Sequence, residues 1–210
     1  MTPAQLRKVA RELAPYLVRG GFAAPGAQSG LNGNWVPANW GLQAGAIAET
    51  FPRQAAGNTA NCLTSGQLWL TAIYMNAGAV ANHITFASGA PGLTLGTSPH
   101  LWFAVYDKSL NLLRQTVDDT AAVWASYSQL TESFASPLVL PYTGIYYIGI
   151  CISQGGGVLA APGGAASWSN AQSHAPPVLS GSSTGGLLGV APAVAVPMTA
   201  DYRFLYAVVK

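Results

Sequence analysis

Nucleophiles and paired acids come first. Gly181, Ser183 and Gly185 match G-x-S-x-G, the strand-to-helix turn that exposes a nucleophilic serine. Here the match lies in a Ser/Gly-rich stretch with no helical pattern after it, so it reads as a loop. Asp118 and Asp119 are adjacent, and neighbouring side chains on an extended chain point to opposite faces. Glycoside hydrolysis needs two carboxyls that converge, about 5–10 Å apart, across a cleft. Asp107 and the Asp118–Asp119 pair sit in turn sequences, where aspartates cap backbone donors. Clustered loop oxygens also suit calcium, which is a second reading of Asp118 and Asp119. His83, His100 and His174 have neither H-x-x-x-H nor H-E-x-x-H spacing. His83 and His100 fall in strand patterns and read as hydrogen-bonded structural residues. Nucleotide binding has no support, because there is no Walker loop and no G-x-G-x-x-G. Cys62 and Cys151 lack C-x-x-C spacing. They read either as one disulfide or, more simply, as two buried thiols. No catalytic group, metal or cofactor is assigned, and the expectation is a protein that is not an enzyme.

Aromatic rings are the remaining candidates. Trp69, Trp102, Tyr106, Trp124, Tyr127, Tyr142, Tyr146 and Tyr147 fall within one segment. Most are expected in the core or between subunits. One or two on a sheet face would stack on sugar rings, so a carbohydrate-binding module for host surface glycans is the alternative reading.

These residues must be positioned by strands. Charged residues make up only 8% of the 210-residue chain, and 50% is hydrophobic. Average soluble domains carry about 25% charge, and charge-driven disorder is excluded by this composition. The longest strongly apolar run, Ile145–Ile152, is far short of the roughly 20 residues of a spanning helix, so no membrane segment is expected. Arg7, Lys8, Arg11 and Glu12 interrupt any signal-peptide core. Residues 1–20 hold Arg7, Lys8, Arg11 and Arg19 against Glu12. The rest is nearly neutral and offers no footprint for nucleic acid.

Three regions follow. Residues 1–20 predict an amphipathic helix. Thr2 is its N-cap, Pro3 its first residue and Gln5 completes a capping box. Leu6, Val9 and Leu13 form a narrow apolar stripe, and Arg7, Lys8 and Arg11 make a basic face. Pro15 and Gly20–Gly21 stop it. Such a short helix needs a partner surface. Residues 21–60 read as an extended arm, with Trp35, Trp40 and Phe51 spaced to enter pockets on a neighbour. Residues 61–210 read as an all-β, antiparallel, jelly-roll-like β-sandwich.

Within that body, strands are predicted over Gln67–Met75, Ala81–Ser88, His100–Tyr106 and Leu112–Val117. One or two short strands are expected around Ser136 and Pro137, a central strand over Gly144–Ser153, and a closing strand over Tyr202–Val209. Asp118–Ser126 reads as a helical turn or a loop. Residues 154–200 contain no Asp, Glu, Lys or Arg. They read as a long excursion whose Val158, Leu159, Leu187, Leu188, Val190 and Val194 need cover, which burial between copies would supply.

A series of motifs adds to this. Pro52 and Arg53 are followed by Leu63-Thr64-Ser65-Gly66 and Leu68-Trp69-Leu70-Thr71-Ala72-Ile73. Next come Asn82-His83-Ile84-Thr85-Phe86 and Leu101-Trp102-Phe103-Ala104-Val105-Tyr106-Asp107. Then come Asn111-Leu112-Leu113-Arg114-Gln115-Thr116, Asp118-Asp119-Thr120 and Tyr142-Thr143-Gly144-Ile145-Tyr146-Tyr147. In this order they resemble a β-sandwich module of virion proteins from actinobacterial phages, often labelled minor tail proteins. The resemblance covers about half the chain and supplies no catalytic residues. It implies a virion structural protein, assembled in the host cytoplasm and partnered by other virion proteins. A homo-oligomer, with a trimer favoured, is expected from the exposed excursion and the fibre-like habit of such modules.

Overall fold

Short β-branched and aromatic runs between frequent Gly and Pro turns build antiparallel sheets, and no helix occurs among the described residues. A computed structural model describes residues 45–51, 56–58, 63–94, 96–160, 162–166, 180–183, 185–195, 198–200 and 203–210. The expected N-terminal helix, with Leu6, Arg7, Lys8, Val9, Arg11 and Leu13, lies outside these residues, as do Trp35 and Trp40.

The strands are β1 (Ala48–Glu49), β2 (Gly57–Asn58), β3 (Leu68–Met75), β4 (Val80–Ala87), β5 (Thr97–Tyr106), β6 (Leu112–Gln115) and β7 (Gln129–Val139). They continue as β8 (Gly144–Gly155), β9 (Gly163–Ala166), β10 (Ser180–Ser183), β11 (Met198–Ala200), β12 (Arg203–Leu205) and β13 (Ala207–Val209). One sheet has the order β11-β10-β3-β8-β5-β6, a second β1-β13-β4-β7, and a small third β12-β9-β2. β8 lies between β3 and β5, in the middle of the largest sheet.

The two larger sheets face each other. Leu101, Phe103 and Val105 of β5 and Tyr146, Ile148, Ile150 and Ile152 of β8 meet Ile84 and Phe86 of β4 and Val209 of β13 in one core. The Phe86 and Phe103 rings pack at 4.7 Å. The opposite face of the six-stranded sheet is also buried. Leu68, Leu70, Trp102, Ala104, Tyr106, Tyr147 and Cys151 form a second cluster there with Ala191 and Ala195. This explains the strand sequences: a sheet covered on both faces selects continuous apolar runs rather than alternation. Gly149 sits at the centre of the outer face. A Cβ there would lie 2.8 Å from Leu68 Cδ1 and 2.9 Å from Leu70 Cδ2, so glycine makes room for both leucines.

Four sequence expectations change in the structure. The closing segment is two strands, not one: β12 pairs with β9, and β13 pairs with β1 and β4. The chain thus changes sheets at Tyr206. The segment around Ser136 and Pro137 is one eleven-residue strand. Its register slips between Ala81↔Leu138 and His83↔Ser133, and Pro137, which has no N–H to donate, falls in the slip. The excursion over 154–200 contains β9, β10 and β11. Finally, the end of the expected arm belongs to the body, since Ala48 and Glu49 pair with Val209 and Val208. Phe51 meets Tyr206 of its own chain edge-on, with ring centroids 5.5 Å apart.

Candidate functional site

Asp118 and Asp119 continue from β6 as an extended segment. The Leu101 amide donates to the Asp119 carbonyl at 3.1 Å, and the Asp119 amide donates back at 2.8 Å. Alternation then turns the two carboxyls to opposite faces. Asp118 reaches His100, with Oδ2 2.6 Å from Nδ1. His100 precedes Leu101, an inner residue, so the pair lies on the outer face beside Trp102. Asp118 Oδ1 is buried with no hydrogen-bond partner among the described residues. Asp119 behaves as a turn aspartate, its Oδ1 accepting from the Ala121 amide at 2.8 Å. Asp107 does the same for Ser109 and Asn111.

A strap over residues 187–195 roofs this face. Trp102 Nε1 donates to the Leu188 carbonyl at 2.6 Å, and the Tyr106 hydroxyl donates to the Pro192 carbonyl at 3.2 Å. The Gln115 amide donates to the Gly189 carbonyl at 2.8 Å and accepts from the Ala191 amide at 2.6 Å. The backbone completes the attachment, with Leu112 donating to Ala193 and Ala195 donating to Leu110. Polar tips on otherwise buried side chains therefore hold a strap that has no charge of its own. Its residues alternate. Ala191 and Ala195 are buried and Leu187 packs against the outer cluster, while Leu188 is 62% exposed, Val190 77% and Val194 43%.

Gly189 passes over the His100–Asp118 pair. A Cβ at this position would stand 2.4 Å from Asp118 Oδ2 and 2.9 Å from His100 Nδ1. Gly189→Val is therefore expected to separate the pair or lift the strap, at about 1–3 kcal/mol. Urea unfolding together with the imidazole NMR signals of His100 checks this. Unchanged stability and an unchanged His100 environment would contradict it.

The other sequence candidates are placed as follows. Ser183 lies on β10 and pairs with Met198 rather than standing at an elbow. Its Oγ accepts from the Leu68 amide at 3.1 Å. No described hydroxyl or thiol hydrogen-bonds the His100 ring. His83 Nδ1 is 3.0 Å from Ser133 Oγ on the solvent side of the four-stranded sheet. Cys151 is a free buried thiol opposite Trp102. Burial, with the Asp118 charge as a lesser cause, pushes it up to about 12, which leaves almost no thiolate at neutral pH. Cys62 and His174 lie outside the described residues. No cluster of three or more metal-ligating side chains occurs among the described residues. Of the aromatics, Trp102, Trp124, Tyr106 and Tyr146 are fully buried. Tyr142 and Tyr146 stack on each other at 4.4 Å, and Arg203 lies over the Trp69 ring at 4.8 Å. Tyr127 at 77% and Tyr74 at 37% are the exposed described rings, and they belong to different elements.

Sequence reasoning missed Glu132. It stands opposite the fully buried Ile84 on β4, in line with Leu130 and Phe134, so its carboxyl turns toward the space between the sheets. Burial, with the Asp119 charge second, raises it to about 7. The signal was present in the spacing Leu130, Glu132, Phe134, a period of two with an acid at an inner position.

The chain matches no protein-family model, and a search of curated proteins returns no match.

Proposed function

We propose that the chain is a structural component of a bacteriophage virion: a minor tail, fibre or decoration protein. Its body is a jelly-roll-like β-sandwich displayed on the particle and anchored through the N-terminal region. Other virion proteins and further copies of the chain, most simply a trimer, are its partners. The observation that carries this reading is the strap. Its inner side satisfies the sheet, and its outer side presents Leu188, Val190 and Val194 as an uncharged apolar row. Such rows on soluble proteins mark contact surfaces, and closed symmetry keeps the contacts finite. The placement of the acids supports the same reading. Asp107 and Asp119 cap turns, and Asp118 is paired with His100.

The test is the double variant Leu188→Asp and Val190→Asp. Both side chains point outward, so circular dichroism and the melting temperature should stay close to those of the parent protein. Light scattering should show the parent as an oligomer and the variant as a monomer. Particles assembled with the variant should lack the chain. A monomeric parent that binds cell-wall polysaccharide would overturn the structural reading in favour of a glycan-binding module.

A further inference from the structure

We propose that Asp119 and Glu132 form a proton-operated seam between the two large sheets, which tightens as the pH falls. The seam is visible in the backbone. The segment that continues β6 is shared between the sheets. The Thr116 amide donates to the Phe103 carbonyl of β5 at 2.8 Å, while Thr116 also bridges Phe134 of β7. The next amide, of Val117, donates to the Ser133 carbonyl of β7 at 3.1 Å. One stretch of chain therefore stitches the edge of the six-stranded sheet to the edge of the four-stranded one.

At the end of this stitch the two sheets each contribute an acid. Asp119 is laddered to Leu101 and lies on the Leu101 side, the inner side of its sheet. Glu132 lies on the inner side of β7, opposite Ile84. The other charged and titratable groups around the seam are turned elsewhere. Arg114 of β6 donates from Nη1 to Ser136 Oγ, at the far end of the stitch. Asp118 faces away to His100. His83 on β4 bonds Ser133 on the outer face, and Lys210 meets His83 through its backbone. Next along the chain come Ala122 and Trp124, both buried and apolar. Register thus sets both acids on the inner side of neighbouring sheet edges, with Asp119 Oδ1 held by the Ala121 amide and Glu132 half-buried opposite Ile84. Burial disfavours the charged form of such a carboxyl, and a neighbouring like charge adds to that.

The sign follows from linkage. Glu132 is raised from 4.5 to about 7 in the folded chain. Between these values the folded state binds more protons than the unfolded one, so stability is greatest at the acidic side and is lost as the pH rises through about 7. A carboxylate paired with a cation behaves in the opposite way, contributing stability that is lost as the pH falls.

The test is a pair of measurements on the full chain between pH 5 and 8, about the range that brackets the shifted group. Carboxyl NMR of the parent protein should show Glu132 titrating near neutrality. Hydrogen exchange at the Val117 amide, corrected for intrinsic rates, should lose roughly tenfold of its protection as Glu132 ionises, the equivalent of one pH unit of titration. Glu132→Gln should hold that protection high and flat, and Asp119→Asn should shift the Glu132 titration downward. Titration of Glu132 in the ordinary carboxylate range, or Val117 protection independent of pH in the parent, would overturn the proposal. If Glu132→Gln fails to fold, the parent titration and exchange data decide alone.

Discussion

Removal of residues 203–210 is expected to leave no cooperatively folded protein. β13 is not an edge strand: it lies between β1 and β4 in the four-stranded sheet. Ala207, Val208 and Val209 are each 0% exposed, with Leu205 and Tyr206 at 1% and 2%. Burying one Val, Leu or aromatic side chain stabilises by about 1.5–3 kcal/mol, and whole domains hold only about 5–15 kcal/mol. The deletion also removes β12, which pairs with β9, and strips the partners of Ile84, Thr85 and Phe86. Expression with fractionation, followed by calorimetry of any soluble product, checks the expectation. A soluble truncated chain with one sharp melting transition would contradict the sheet order.

The second large effect is expected at Trp102. Its ring is fully buried in the outer cluster, and its Nε1 holds the Leu188 carbonyl. Trp102→Ala should cost about 3–5 kcal/mol, the range for large aromatic truncations in cores. The strap should suffer beyond the general loss, because Leu188 loses its donor and Leu187 and Ala191 lose a surface to pack on. Urea unfolding gives the cost, and limited proteolysis reports the strap. Cleavage should concentrate within residues 185–195 under conditions where the rest of the chain resists. A cost under about 1.5 kcal/mol, the range for a volume-conserving swap, with no new cleavage would mean that the strap is held by something else.

Much of the fold could be read from local pattern. Leu101, Phe103 and Val105 alternate with Trp102, Ala104 and Tyr106, and both series proved buried, one on each face of β5. The β-branched and aromatic density of Gly144–Ser153 placed β8 centrally, as the sheet order has it. The misses have a common cause. β9 is Gly-Gly-Ala-Ala and β10 is Ser-Gly-Ser-Ser, sequences with no strand propensity of their own. Neighbouring strands impose the extended form on them. The sheet change at Tyr206 and the slip at Pro137 likewise depend on partners distant in sequence.

The same holds for the candidate site. The opposed directions of Asp118 and Asp119 were legible, because alternation is a local property. That Asp118 meets His100, and that Asp119 and Glu132 both fall on the inner side of neighbouring sheet edges, depends on how three strands are laid side by side. The strap was legible only as an uncharged run in need of cover. Half of that need is met inside the chain by the outer face of the large sheet, and Leu188, Val190 and Val194 carry the rest.

The proposed virion role is tested most directly by a cryo-electron microscopy map of a phage particle that encodes the chain, with mass spectrometry of the same preparation. The expected result is a stoichiometric chain in the particle, with the two facing sheets fitted to surface density. Copies should be related by a closed symmetry axis, with the Leu188–Val194 row at the contact between them. A complete particle that contains no such chain, while the protein is abundant and free in the infected cell, would contradict it.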